Sequence, residues 1–154
     1  MKASRFLWRL IQIGPRVAYA IGLGPLVGRF VLLLRTVGRR SGRHRVTPLV
    51  YVERDHTILV ASARGPSADW LRNIQANPNV RVQVGRRQFD ALAEPTTNGE
   101  KIADYLQSLM DRNPRMFGVI LRIEGLSSSP SRAELVRFGP RRPMVTLRPL
   151  NDPR

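Results

Sequence analysis

The stretch RFVLLLRTVGRRSGRHRVTPLVYVE, residues 29–53, decides the fold of this chain. Two apolar segments rich in Val and Leu flank a short run, Arg39 to Arg45, that contains four arginines, a histidine, a serine and a glycine. Short β-branched and apolar runs on either side of a polar, glycine-containing segment are typical of a β-hairpin. The stretch therefore predicts a hairpin with a positively charged turn, and Pro48 predicts a strand start, a bulge or an edge in the second strand.

The segments that follow predict a mainly β fold with flanking helices. RDHT makes a polar turn into the strand ILVASA, VRVQV and QFDALAE alternate between apolar and polar residues as a third hairpin, and PMVTLRPL is a last strand. Helices are predicted for residues 65–78, 97–114 and 114–125, and a brief one around 132–138. Five strands, then helices, then a closing strand predict a small antiparallel barrel with helices at its edges.

Capping residues mark the predicted helix starts. A side-chain oxygen at the N-cap accepts a hydrogen bond from a free backbone N–H of the first turn, and Glu three residues later completes a capping box. The predicted caps are Ser67 or Asp69 for the first helix, Thr97 with Glu100 for the second, and Ser131 with Glu134 for the last.

Residues 1–28 are predicted to form an N-terminal helical segment ahead of a barrel domain of residues 29–150. Arginines and Gly-Pro pairs interrupt the segment, so no stretch reaches the ~18 apolar residues of a spanning helix. Its arginines form a narrow stripe beside a wide apolar face. Two interpretations stay open: an interfacial anchor on an acidic membrane, or a terminal helix packed on the barrel. We expect a cytoplasmic protein, peripheral on the inner face of the membrane in the first interpretation.

Composition limits the classes of function. The net charge is +15, and residues 1–50 contain ten basic and no acidic side chains, so anionic partners are expected. Without cysteine there is no thiolate zinc site or thiol nucleophile, and no paired carboxylates or sequence-reading nucleic-acid module are visible. Ser41 and His44 lack triad spacing and an acidic partner. We therefore expect no metal, no catalytic side chain and no specific nucleic acid.

The arginine-rich turn admits two interpretations. Arginines on hairpin turns are usually solvated surface charge. However, Gly38 and Gly42 would let backbone N–H groups approach an anion closely, while Ser41 adds a hydroxyl and the arginines offer bidentate donors. Such a turn could hold a phosphate.

Three stretches resemble one known family. TVGRRSGRHRVTPLVYV (36–52), VASARGPSADWLRNIQANPNVRVQV (60–84) and RRPMVTLRP (141–149) resemble the deazaflavin-dependent nitroreductases of actinobacteria, which carry a T-x-G-R-[KR]-[ST]-G-x-x-R-x-x-P-L motif followed by W-x-x-N-x-x-A-N-P. The resemblance implies a small antiparallel split β-barrel of the FMN-binding split-barrel type. It also implies binding of coenzyme F420, an 8-hydroxy-5-deazaflavin with a ribityl phosphate and a poly-glutamate tail. Flavin mononucleotide is the alternative coenzyme, because related families use the same barrel for it.

The resemblance assigns coenzyme-binding positions in four groups. Phosphate and tail would be held by Arg39, Arg40, Ser41 and Arg45. The residues that would line the coenzyme are Val46, Thr47 and Pro48. Those that would approach the phosphate and ring are Ala61, Ser62, Ala63 and Arg64. The adjoining helix would be fixed at the rim by Trp70 and Asn73.

The resemblance implies hydride transfer from the reduced coenzyme to an apolar, electron-poor acceptor, namely a quinone, nitro or enone compound. We expect a small-molecule acceptor in a pocket formed by the N-terminal segment and residues 114–125, and a homodimer stays open. Two alternatives remain. One is a coenzyme carrier without efficient turnover, because NPRMFGVIL (113–121) has no tyrosine where reductases of the family often carry a tyrosine-rich segment. The other is a barrel that binds polyanions such as nucleic acid or acidic lipid.

Overall fold

The computed structural model describes residues 31–62, 65–123 and 125–151, without the side chains of residues 116, 120 and 123. The strands are β1 (Val31–Val37), β2 (His44–Arg54), β3 (Thr57–Ala61), β4 (Asn79–Val84), β5 (Arg87–Thr96) and β6 (Met144–Pro149). The helices are α1 (Asp69–Ala76), α2 (Gly99–Arg112), α3 (Pro114–Ile123) and α4 (Arg132–Phe138). In this part of the chain no helix is long and apolar enough to cross a bilayer. The predicted N-terminal helix and membrane anchor lie outside the described residues.

The six strands form one closed barrel in the order β1-β2-β3-β6-β5-β4. Each neighbouring pair is antiparallel, and pairing of Leu33–Arg35 with Arg81–Gln83 joins β1 to β4 and closes the barrel. The last strand lies between β3 and β5 after the excursion through three helices. The predicted antiparallel split barrel with flanking helices is confirmed.

The second strand is longer than either of its neighbours and changes partner along its length. Residues 44–50 pair with β1, whereas β3 pairs with Tyr51–Arg54 only. Pro48, opposite Leu33, therefore lies where β2 has a described strand on one side. Because proline has no N–H to donate to a ladder, such an edge tolerates it. Of the three roles predicted for Pro48, the edge position is correct.

Two apolar clusters hold the fold together. Alternate side chains of the strands point into the barrel, where Leu34, Val60 and Val82 are fully buried and Trp70 and Ile74 of α1 pack against them. The second cluster lies between the helices and the barrel, where Ile102 and Leu135 are fully buried; the partly buried side chains packed against it include some from β2 and β3. Burying one such side chain contributes about 1.5–3 kcal/mol, so the two clusters fix α1 and α2 on the barrel.

Two of the three predicted helix caps are wrong. The N-cap of α1 is Ala68, without a side-chain cap, and Asp69 is the first helical residue, where its carboxylate contacts Arg39 instead of the helix backbone. The N-cap of α2 is Asn98, which accepts a hydrogen bond from the Lys101 N–H, because β5 continues to Thr96 and delays the helix. The capping box at the start of α4 is confirmed.

Candidate functional site

Backbone hydrogen bonds shape the arginine turn, residues 38–43. The Gly38 N–H donates to the Arg43 carbonyl and the Gly42 N–H to the Gly38 carbonyl, each at 2.8 Å. Gly42 has a φ of +67°, which favours glycine, and a Cβ on Gly38 would lie 2.8 Å from the Ser41 hydroxyl. That hydroxyl accepts a hydrogen bond from the Arg43 N–H at 3.3 Å. Gly42 is therefore required by its backbone conformation, and the N–H groups of both glycines bond within the turn, so their expected approach to an anion is not what the structure shows.

A cavity of about 750 Å³ lies between this turn, the start of β2 and the first turns of α1. We call it the arginine cavity. It is lined by Gly38, Arg39, Arg40, Ser41, His44, Arg45, Val46, Thr47, Asp69, Trp70 and Asn73. Its volume lies within the usual range for small-molecule sites.

Arg39 is held by two residues of α1. Its N–H and its Nη1 both donate to the Asn73 side-chain oxygen, at 3.2 and 3.1 Å, and its guanidinium lies 3.2 Å from the Asp69 carboxylate. The Asn73 amide donates in turn to the Thr36 hydroxyl at 3.3 Å, and Asn73 and Thr36 are both buried. Asn73 thus ties the helix to β1 and to the turn, and Arg39 closes one wall of the arginine cavity.

Arg40 and Arg45 are arranged differently from Arg39. Both are exposed, both line the arginine cavity, and neither guanidinium group has an ion pair or hydrogen bond with the described residues. Asp69 is the one carboxylate among the described lining residues, and Arg39 already contacts it. The cavity therefore has an excess of positive charge and two guanidinium groups available to an anion, for which arginine offers bidentate hydrogen bonds.

The structure brings together eight of the thirteen predicted site residues. Those that line the arginine cavity are Arg39, Arg40, Ser41, Arg45, Val46, Thr47, Trp70 and Asn73. Pro48, Ala61 and Ser62 are not among its lining, and Ala63 and Arg64 lie outside the described residues. Ser62 is fully buried and its hydroxyl donates to the Gly65 carbonyl at 2.6 Å. The hydroxyl thus stabilises the turn after β3, and the approach of Ser62 to the phosphate and ring stays a prediction.

Gly38, which lines the cavity, was expected to approach an anion through its N–H, whereas His44 and Asp69 were not predicted as site residues. His44 belongs to the quoted turn, so its position beside the arginines was a signal that could have included it. For Asp69 there was no such signal, because it is thirty residues from Arg39 and meets it only through the packing of α1 on the hairpin.

The segment predicted to form an acceptor pocket lies elsewhere. No residue of 114–125 is among the described lining of the arginine cavity. Side chains of α3, including Arg115, Val119 and Arg122, line a separate groove of about 570 Å³ with residues of α2 and the following loop. The predicted acceptor pocket stays a prediction, because its N-terminal part lies outside the described residues.

Tyr105 of α2 is a buried hydroxyl close to the long strand. It donates to the Val50 carbonyl at 3.1 Å, and burial raises the pKa of the phenol well above its ordinary value. The phenol is therefore neutral at physiological pH. It belongs to the cluster between barrel and helices and does not line the arginine cavity.

Comparisons with known proteins found a matching family model and several relatives. The model of a family described as F420H(2)-dependent quinone reductase matches residues 16–119. An F420H(2)-dependent quinone reductase of Mycobacterium tuberculosis is 34% identical over 67 residues, which are 42% of this chain and 45% of that protein. A second M. tuberculosis protein, Rv3178, is 42% identical over 73 residues, 46% of this chain and 61% of that one. The chain thus spans about half the length of the curated relatives it matches.

A solved structure shares the fold. An F420-H2 dependent reductase (FDR-A) superposes with a TM-score of 0.53 at 24% identity, over 77% of this chain and 94% of that one.

Proposed function

This chain belongs to the F420H(2)-dependent quinone reductase family, and on that premise we propose that it is an oxidoreductase that binds coenzyme F420 in the arginine cavity. The reaction is hydride transfer from the reduced coenzyme to a quinone or to a related apolar, electron-poor nitro or enone compound. The observation that carries the proposal is the pair Arg40 and Arg45, two exposed guanidinium groups on one cavity wall without a described carboxylate partner.

The residues present fit the coenzyme. A ligand with a phosphate and a carboxylate tail needs several cationic donors, and the arginine cavity supplies two available guanidinium groups. It also needs an apolar wall for a planar ring, which Val46 and the buried Trp70 provide. A cavity with an excess of negative charge, or one whose arginines were all held in ion pairs, would not fit this ligand.

The side chains have separate tasks in this proposal. Arg40 and Arg45 bind the anionic groups, and their long-range attraction favours entry of a polyanion. Arg39 keeps the cavity wall in place through its bonds to Asn73 and Asp69. Val46, Thr47 and Trp70 of the cavity lining would hold the ring.

The reaction needs little from ionisable side chains. When bound, the reduced deazaflavin supplies a hydride equivalent, so the chain's contribution is to bind and orient it and to exclude water. The one carboxylate of the described lining, Asp69, is paired with Arg39, and the buried phenol of Tyr105 lies outside the cavity. We therefore assign no catalytic residue.

Two measurements test the proposal. Titration of the oxidised coenzyme with protein should quench or shift its fluorescence, and oxidation of the reduced coenzyme by menadione should then be catalysed. Binding with turnover supports an oxidoreductase. Binding without turnover would identify a coenzyme carrier, and no binding would leave the polyanion-binding barrel as the better interpretation.

The membrane and homodimer interpretations remain proposals. Residues 1–28 lie outside the described residues, so the anchor is tested directly by co-sedimentation with acidic liposomes, comparing the full chain with a variant that lacks residues 1–20. Equal pelleting would exclude the anchor. Analytical ultracentrifugation of the full chain measures the oligomeric state.

A further inference from the structure

The hydroxyl of Tyr105 lies at the point where β2 and β3 stop pairing. The ladder between these strands ends with the pair Tyr51 and Val60. In the same register the next pair would be Val50 with Ala61, and the ladder does not include it. The Tyr105 hydroxyl donates to the Val50 carbonyl at 3.1 Å. Burial raises the pKa of this phenol, and a hydrogen bond from the Ala61 backbone to the same oxygen lowers it. One hydroxyl thus bonds with both residues of the missing pair.

The backbone groups of the missing pair are directed toward each other. Consecutive residues of a strand direct their N–H and C=O groups to opposite neighbouring strands. The Ser62 N–H donates to the Pro143 carbonyl beside β6 at 2.9 Å, so the N–H of the preceding residue, Ala61, is directed toward β2. Without the hydroxyl between them, the Ala61 N–H and the Val50 carbonyl would form the next hydrogen bond of the ladder.

The ring of Tyr105 holds this hydroxyl in place. Tyr105 is 3% exposed and belongs to the cluster between barrel and helices, against which the side chains of Val50 and Ala61 pack. Its helix is fixed to the same strand a second time, because Arg112 of α2 donates to the Tyr51 carbonyl at 2.8 Å. The side chain is therefore a rigid wedge between the two strands.

The part of β2 beyond this wedge forms a wall of the arginine cavity. From His44 to Val50 the strand pairs with β1, and its ladder with β3 does not reach these residues. Arg45, Val46 and Thr47 of this open part line the cavity. Pro48, in the same stretch, has no N–H for a further ladder bond. Because the strand is continuous, the position of Val50 determines where the cavity wall lies.

We propose that Tyr105 is a positioning residue for the coenzyme: its hydroxyl takes the place of a ladder hydrogen bond, keeps β2 and β3 apart, and so fixes the wall of the arginine cavity. This inference rests on the proposed function. Without the hydroxyl, two partly buried backbone groups lose their partner, which is costly, and a direct bond between them satisfies both. β2 then moves toward β3 and carries its lining residues away from the ligand.

The first test is an NMR measurement on the isotope-labelled full chain. A scalar coupling between the Ala61 nitrogen and the Val50 carbonyl carbon is detectable when these two groups are hydrogen-bonded directly. The wild type should lack this coupling, and Tyr105→Phe, which keeps the ring and removes the hydroxyl, should show it. Detection of the coupling in the wild type would overturn the proposal without the need for any variant.

The second test measures the dissociation constant of oxidised coenzyme F420 by fluorescence. Tyr105→Phe should bind about tenfold more weakly, because a displaced wall no longer matches the ligand. Leu109→Val is the matched control: it shortens a buried side chain one turn further along α2, in the same cluster, and leaves the hydroxyl in place. It should lower the free energy of unfolding while keeping the wild-type affinity, and it should show no coupling.

Three results would overturn the positioning role: wild-type affinity in Tyr105→Phe, weaker binding without the new coupling, or an equal loss of affinity in Leu109→Val. Absence of coenzyme binding by the wild type would overturn the proposed function as well. The coupling distinguishes the two failures, because it reports on the strands whether or not the coenzyme binds.

Discussion

Arg39 and Asn73, 34 residues apart, are joined by two hydrogen bonds to one oxygen, from the Arg39 backbone N–H and from its guanidinium. The same Asn73 side chain donates to Thr36. One buried amide thus joins β1, the arginine turn and α1. Arg39, the first arginine of the basic run, thus has partners within the protein, whereas the guanidinium groups of Arg40 and Arg45 are available to a ligand in the cavity.

Replacement of Asn73 by alanine should destabilise the fold and loosen the site together. Asn73→Ala leaves the Arg39 N–H and the buried Thr36 hydroxyl without their present partner, which should lower the free energy of unfolding by about 1–3 kcal/mol. Urea denaturation measures this change. Gln75→Ala, on an exposed position of the same helix, is the control and should stay within about 0.5 kcal/mol of the wild type. Equal midpoints for the two variants would contradict the assigned role.

Removing the charge of Asp69 should strengthen coenzyme binding. Asp69→Asn eliminates the carboxylate of the described cavity lining, so an anionic coenzyme should bind about two- to fivefold more tightly, and less so at high salt. The free energy of unfolding should change little, because the Asp69 side chain that pairs with Arg39 is 77% exposed. The dissociation constant from fluorescence titration measures the effect. Asp90→Asn makes the same charge change beside Arg81, outside the cavity, and should leave affinity unchanged.

Loss of the two available arginines should weaken coenzyme binding strongly. Each charge-assisted contact contributes about 1.5–3 kcal/mol, so Arg40→Ala with Arg45→Ala should raise the dissociation constant at least about a hundredfold. Arg86→Ala with Arg137→Ala is the matched control, because it lowers the net charge equally at two exposed positions outside the cavity lining. If both double variants lost affinity to the same extent, general attraction of a basic protein would be the cause, and the site would be elsewhere.

The turn between β2 and β3 should become more stable with glycine at its second central position. Asp55 and His56 have φ values of 48° and 62°, as in a type I′ turn, and a non-glycine residue is strained in that region. His56→Gly should therefore raise the free energy of unfolding by about 0.5–1 kcal/mol, after the opposing entropy of the unfolded glycine. Thermal or urea denaturation measures it. Gln88→Gly, at an exposed position in β5, should instead destabilise, and a loss of stability in both variants would show that the turn is not strained.

The candidate site was predictable where its residues are adjacent in sequence. Seven residues between Arg39 and Thr47, all except Gly42 and Arg43, line one cavity because a hairpin keeps its own neighbours together. Ser62 was predicted from the resemblance of its stretch of sequence to the family, and its hydroxyl hydrogen-bonds within the turn that follows β3. A motif preserves the order of residues and does not determine which way each side chain points, which depends on the packing around it.

The alternation of apolar residues and the positions of glycine and proline were enough to indicate strands, hairpins and an antiparallel barrel, because these properties depend on near neighbours along the chain. Tertiary structure decided which arginines bond within the protein and which remain available to a ligand. Asp69 and Asn73 reach Arg39 only when α1 packs against β1, so the same guanidinium group that appears equivalent to Arg40 in sequence becomes part of the scaffold. Hydrogen bonds and ion pairs between distant segments are set by packing geometry, and that geometry is not encoded in any local pattern.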